Sequence, residues 1–166
     1  MSDPLDVSGG SGPSGPLDVS GGSGPSDPLR LFGQFVGSWD VESSLAGAGE
    51  WHFAWILGGT AIQDVISPVG APPEQQGTTV RAYDPGAGLW HVFYTCPQDG
   101  EFVLLTGRAE GERIVQLGHD LAGPSRRLRW TFSDIEPASF RWTGEVSTDG
   151  GATWRLTHEM RAKRRT

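Results

Sequence analysis

Along residues 154–163 the side chains alternate without a break. Trp154, Leu156, His158, Met160 and Ala162 fall on one side, and Arg155, Thr157, Glu159, Arg161 and Lys163 fall on the other. A period of two is the signature of a strand with one dry face and one wet face. The pattern recurs upstream. Within 139–146, Phe140, Trp142 and Val146 oppose Arg141, Thr143 and Glu145, and within 128–134, Leu128, Trp130 and Phe132 oppose Arg127, Arg129, Thr131 and Ser133. Strands of this kind need cover on one face only. A row of them meets that need by curling until the dry faces enclose one another.

The punctuation between strands supports the same reading. Turn-forming clusters fall at 46–49, 58–59, 68–77, 84–88, 97–100, 109–111, 120–125, 136–137 and 149–151, separated by segments rich in Trp, Phe, Val, Ile and Thr. This spacing predicts about nine or ten antiparallel strands joined to their sequence neighbours. No helical segment interrupts them, which excludes a parallel α/β sheet. The expected fold is all-β, an up-and-down barrel, because closure removes the exposed edges that an open sheet of this length would carry. A two-sheet sandwich is the alternative.

The N-terminal region is of another kind. PLDVSGGSGPS occurs at residues 4–14 and again at 16–26, and no aromatic residue precedes Phe32. Such a composition cannot bury enough apolar surface to offset its conformational entropy. Residues 1–28 are therefore expected to be a disordered tail, with the barrel occupying 29–166. Apolar residues at 29, 31, 32, 35 and 36 have helical spacing, Asp27 is placed to cap them, and Gly37 to end them. A helix of two turns is expected there, leading into Trp39.

Charge and composition exclude several functions. The formal net charge is −7, and the only basic cluster, Arg161, Lys163, Arg164 and Arg165, lies at the end of the last strand. Nucleic acid is not expected as a partner, because phosphate binding needs a concentrated positive face. The single cysteine, Cys96, allows no intramolecular disulfide and no cysteine-based metal site. His52, His91 and His119 show no metal-ligand spacing, so no metal is expected. No apolar run is long enough to span a membrane, and the N-terminus lacks the basic and apolar regions of a signal peptide. The expected setting is the cytoplasm, as a monomer or homodimer.

Phe35-Val-Gly-Ser-Trp39 after a short helix, followed by a β-meander, resembles the calycin group of lipocalin-like and fatty-acid-binding-like barrels. In that group a Gly-X-Trp on the first strand plugs the closed end. Residues 77–85 (GTTVRAYDP), 139–142 (SFRW) and 147–154 (STDGGATW) look like a bacterial family of such barrels. The resemblance covers roughly residues 29–164. It implies a fold and no catalytic motif, since the group includes transporters, haem proteins and cyclases.

His158 is the one polar side chain on the dry face of its strand. It is a candidate ligand contact or general acid/base. The resemblance to nitrobindin-type barrels adds haem ligation as a further alternative; no other cofactor is expected. A core histidine satisfied by hydrogen bonds is the bland alternative. Seven tryptophans suggest an aromatic box, with a filled barrel core as its alternative. The expected ligand-binding set is Trp55, Arg81, Tyr94, Trp130, Trp142, Trp154, His158 and Met160, around a small hydrophobic or aromatic molecule. In this set Arg81 offers a fork to a carboxylate. If the barrel is instead an enzyme, a cofactor-independent cyclase or isomerase, the acid/base candidates are His158, Tyr94 and Glu145. Asp84 and Asp149 are read as turn residues, and Arg141 and Glu145 as facing water. A filled barrel acting as an interaction module is the remaining alternative.

Overall fold

The computed structural model describes residues 27–123 and 125–166. The repeated segment expected to be a flexible tail lies outside the described residues, apart from Asp27 and Pro28. Ten strands follow one another along the chain: β1 Gly37–Ser43, β2 Gly47–Ile56, β3 Ala61–Pro68, β4 Gly77–Asp84, β5 Leu89–Cys96, β6 Glu101–Glu110, β7 Arg113–Asp120, β8 Arg127–Glu136, β9 Ser139–Ser147 and β10 Arg155–Arg164. Each pairs antiparallel with its sequence neighbours, and β10 returns to pair with β1. The sheet is thus a closed up-and-down barrel with no free edge, which removes the sandwich alternative.

The helix is shorter than its apolar spacing predicts. α1 covers only Arg30–Gly33, and the next two bonds run three residues back, from Phe35 N–H to Phe32 O and from Val36 N–H to Gly33 O. The tightening has a packing reason. In a 3-10 turn, residues three apart eclipse one another, so Phe32 and Phe35 point together into the end of the barrel, where they are 0 % and 1 % exposed. Asp27 does not cap the helix as expected: the N-cap position is Leu29, without a side-chain bond, and the Asp27 carboxylate instead accepts the N–H of Leu29 at 3.0 Å.

Around these two rings the lower half of the barrel is solid. Phe35 stacks on Phe132 at 4.8 Å and meets Phe140 edge-on at 4.8 Å, and Phe32 meets Trp90 edge-on at 5.1 Å. Trp39 sits under this cluster as the calycin resemblance implied for its plug. It is 1 % exposed, and its Nε1–H donates to the carbonyl of Phe35 at 2.7 Å. Edge-to-face geometry adds to the area term at each ring pair, because the positive ring edge meets the negative ring face.

The last strand fastens this end. The Arg164 guanidinium donates to the carbonyls of Val36 at 2.8 Å, Gln34 at 2.7 Å and Pro137 at 2.8 Å. It also lies over the Trp39 ring at 4.1 Å. Three carbonyls, two of them left over by the short helix, thereby find donors. Gly37 makes the approach possible. Its φ is +129°, and a Cβ there would lie 2.8 Å from Arg164 Nη1.

An Arg164→Ala variant is expected to lose about 1–3 kcal/mol of stability in chemical denaturation. Arg164→Lys should recover little of it, since an ammonium cannot reach three carbonyls and stack at once. A lysine variant as stable as the parent would contradict this account of how the end is fastened.

Candidate functional site

Packing stops halfway up the barrel, at a buried polar layer. Arg81, 1 % exposed, is ion-paired through Nη1 with Asp64, 0 % exposed, and its Nε donates to Gln116 Oε1 at 3.3 Å. The guanidinium lies over the Phe32 ring at 5.1 Å, so it caps the plug from above. Charges this deep are tolerated only when paired. The fork that Arg81 was expected to offer to a ligand carboxylate is therefore already engaged by a carboxylate of the protein. Asp64 is that partner.

Above this layer the barrel encloses a cavity of about 300 Å³. Six of the residues expected around a ligand line it: Arg81 as its floor, then Tyr94, Trp130, Trp142, His158 and Met160. The strand register explains why they meet. Thr79, Tyr94, Val103 and Asp120 are successive partners across β4, β5, β6 and β7, and Trp130, Gly144 and His158 are successive partners across β8, β9 and β10. The rings form a continuous arc. Tyr94 to Trp130 is 5.3 Å at 78°, Trp130 to Trp142 is 5.4 Å at 65°, and Trp142 to His158 is 5.2 Å at 77°. Gly144 leaves room for this arc, since a Cβ there would lie 2.9 Å from the Trp142 ring. Trp51 completes the wall. It is 3 % exposed and its indole N–H has no partner.

Two of the expected residues are elsewhere. Trp55 lies on the same strand face as Trp51 and Phe53, but at the opposite end of the barrel, 39 % exposed and packed over Gly33 of α1. Alternation gives the side of a strand and not the height along it. Trp154 is outside the barrel for a different reason. The register of β10 against β9 shifts between Leu156 and His158, a bulge that lets Thr157 join His158 at the cavity and turns Leu156 outward, 51 % exposed. Phase is lost across a bulge, so the unbroken alternation of 154–163 misassigns its first two dry residues. Trp154 stacks under the Arg129 guanidinium at 4.4 Å.

Glu145 is also on the outer surface, as its opposition to Trp142 suggested. Arg129 grips it with two bonds of 2.6 and 2.8 Å. As an acid/base group it has no access to the cavity. Arg141 likewise pairs outside with Glu159, while Asp84 and Asp149 accept turn N–H groups as expected.

The mouth holds groups that alternation did not single out: Glu101 at the start of β6, Asp120 at the end of β7, and Arg126 in the loop that follows. Burial raises the pKa of Glu101 above the usual carboxylate range; a bond from Tyr94 opposes this, and the neighbouring Asp99 and Asp120 charges add to it. Tyr94 is pushed well above the normal phenol value, first by burial and then by the Glu101 charge.

The protonation state of His158 follows from its neighbour. Ser43 Oγ accepts N–H bonds from Leu45 at 3.2 Å and Ala46 at 3.1 Å, which occupies both of its lone pairs. Its own hydrogen must then go to His158 Nε2, 2.8 Å away. The imidazole is therefore a neutral ring with its proton on Nδ1, and burial lowers its pKa in agreement. This arrangement does not fit haem. Nε2 is already an acceptor for Ser43, and Trp142 lies against the ring. Among the described residues, no three His, Cys, Asp or Glu side chains gather to hold a metal ion. No helix among them is long and apolar enough to cross a membrane.

No protein-family model matches the chain, and no curated protein does. One similar solved structure is described as "Structure of EF1p2_mFAP2b bound to DFHBI". It is 14 % identical over 84 % of this chain and 100 % of that one, with a TM-score of 0.38. A likeness that distant supports no statement about ligand or function.

Because the folded pKa of His158 lies below its ordinary value of about 6.5, the unfolded chain takes up the proton first as pH falls. The corresponding stability is intact above about pH 6.5 and declines below it. Nitrogen-15 spectra of the imidazole should show the Nδ1–H form at neutral pH, titrating below 6.5, with Ser43→Ala moving the midpoint upward. An Nε2–H ring at neutral pH would refute the hydrogen-bond assignment.

Proposed function

We propose that this chain binds a small hydrophobic or aromatic molecule in the upper half of its barrel, in the manner of a lipocalin-like carrier. The observation that carries the reading is the division of the interior. The lower half is packed with phenylalanine and tryptophan, whereas the upper half keeps about 300 Å³ walled by Tyr94, Trp130, Trp142 and Met160. That volume is at the lower end of the range for small-molecule sites. The unpartnered indole N–H of Trp51 is a polar group of the kind that orients a guest. Burial supplies the affinity at about 25 cal/mol per Å² of apolar surface. An aromatic guest of about 200 Å² gains roughly 5 kcal/mol in gross terms before association costs. Ring contacts with the arc add to this.

A second reading, a cofactor-independent isomerase or cyclase, is favoured by one observation. The neutral imidazole of His158 and the Glu101 carboxyl, its pKa raised, line the same cavity. Titratable groups shifted by their surroundings in this way suit proton transfer at two ends of a bound molecule. Native mass spectrometry of the purified chain, followed by denaturation, separates the readings by whether an added guest is released unchanged.

The neutral fluorescent probe N-phenyl-1-naphthylamine is expected to bind with enhanced emission. Gly144→Val drives Trp142 into the cavity and should weaken that binding by about tenfold or more, with circular dichroism unchanged. Undiminished binding by the variant would show that the probe's site is not this cavity.

A further inference from the structure

We infer that the ligand of this cavity is an organic cation, an aromatic or apolar body carrying a protonated or quaternary amine. The inference deepens the proposed function and rests on the cavity being a ligand site.

The argument is one of charge and ring geometry together. Tyr94 and Trp142 both stand steeply inclined to Trp130, so the arc offers ring faces as well as edges to whatever it encloses. A ring face carries negative potential and attracts a desolvated cation. Glu101 and Asp120 stand at the mouth of the same cavity. Among the described residues neither is engaged in an ion pair within 4.0 Å, whereas Glu145 and Glu159 on the outer surface both are. The positive side chains at the cavity do not cancel this field. Arg81 is neutralised by Asp64 at the floor, His158 is neutral, and Arg126, exposed at the mouth as Glu101 is, sets one positive charge against two carboxylates. Burial is the first cause of the raised pKa of Glu101; among the charges around it, Asp99 and Asp120 each act more strongly than Arg126 does.

An ammonium held between the Glu101 and Asp120 carboxylates and the Tyr94 and Trp130 rings would relieve this repulsion as it binds. The body of the ligand would then reach down toward Trp51. An ether or carbonyl oxygen there would accept the indole N–H that has no partner among the described residues.

Calorimetric titration of the full chain with three probes tests the inference: benzyltrimethylammonium, its neutral isostere neopentylbenzene, and benzenesulfonate. The cation is expected to bind about tenfold more tightly than the neutral isostere, and the anion least. The double variant Glu101→Gln/Asp120→Asn should bring the cation and the isostere level. Equal or tighter binding of the isostere would overturn the cation assignment and leave the cavity reading standing. Preference for the anion would also overturn it, with Arg126 as the determinant. No binding of any probe would overturn the assignment and the ligand-site reading beneath it together.

Discussion

The structure depends on two rings from outside the sheet. A barrel of about eight strands is just filled by its own side chains; this one has ten, and its interior is wider than the strands can fill alone. Phe32 and Phe35 supply the missing volume from a single helical turn, and Arg164 holds that turn against the end of the last strand. First and last elements of the domain are thereby tied at one end. Barrel closure and the plug meet at the same place, since β1 begins where the plug stops and pairs with β10.

The Arg81–Asp64 pair sets how far the filling extends. Hydrophobic residues of similar volume would often be no less stable than a buried ion pair, so stability alone does not account for it. What the pair does is mark a level. Below it the guanidinium packs on Phe32, Phe53 and Phe132. Above it the strands present Thr79, Gly144 and Thr157 as well as rings, and the interior opens. The polar layer acts as a floor that the plug cannot pass and a guest cannot displace without unpairing a charge.

Much of the barrel was legible because strand alternation and turn chemistry are local. Trp39, Phe132, Phe140 and Met160 lie where a period of two puts them, and the strand number follows from the turns. Three features of the site were not local. Trp55 requires the position along the barrel axis, which depends on how strands are staggered. Trp154 requires the bulge at Thr157, and a two-residue pattern cannot reveal a bulge when the residues it displaces, Trp154 and Leu156, are as large and apolar as a dry face demands. Asp64 and Glu101 take their roles from partners across the sheet, which no single strand's sequence shows. The one readable hint was His158, a lone polar group on a dry face. Its state was beyond reach, because Ser43 is 115 residues away.

The division of the barrel also separates the residues that hold the fold from those that meet a guest. The plug, Trp39 and the lower phenylalanines make dense contacts, and any change there reaches the closure of the sheet. The upper wall is under weaker constraint. Leu45, Glu101, Asp120 and Arg126 stand beside turns, where a substitution alters the mouth and leaves the strand pairing below intact. Gly144 and His158 sit between these regimes, since one makes room for Trp142 and the other ties β10 to β1 through Ser43. A change at Gly144 moves the wall, and one at His158 moves the wall and the sheet together. The rim of such a barrel is therefore free to vary, while the depth of the cavity stays fixed by Arg81, Asp64 and the two rings beneath them.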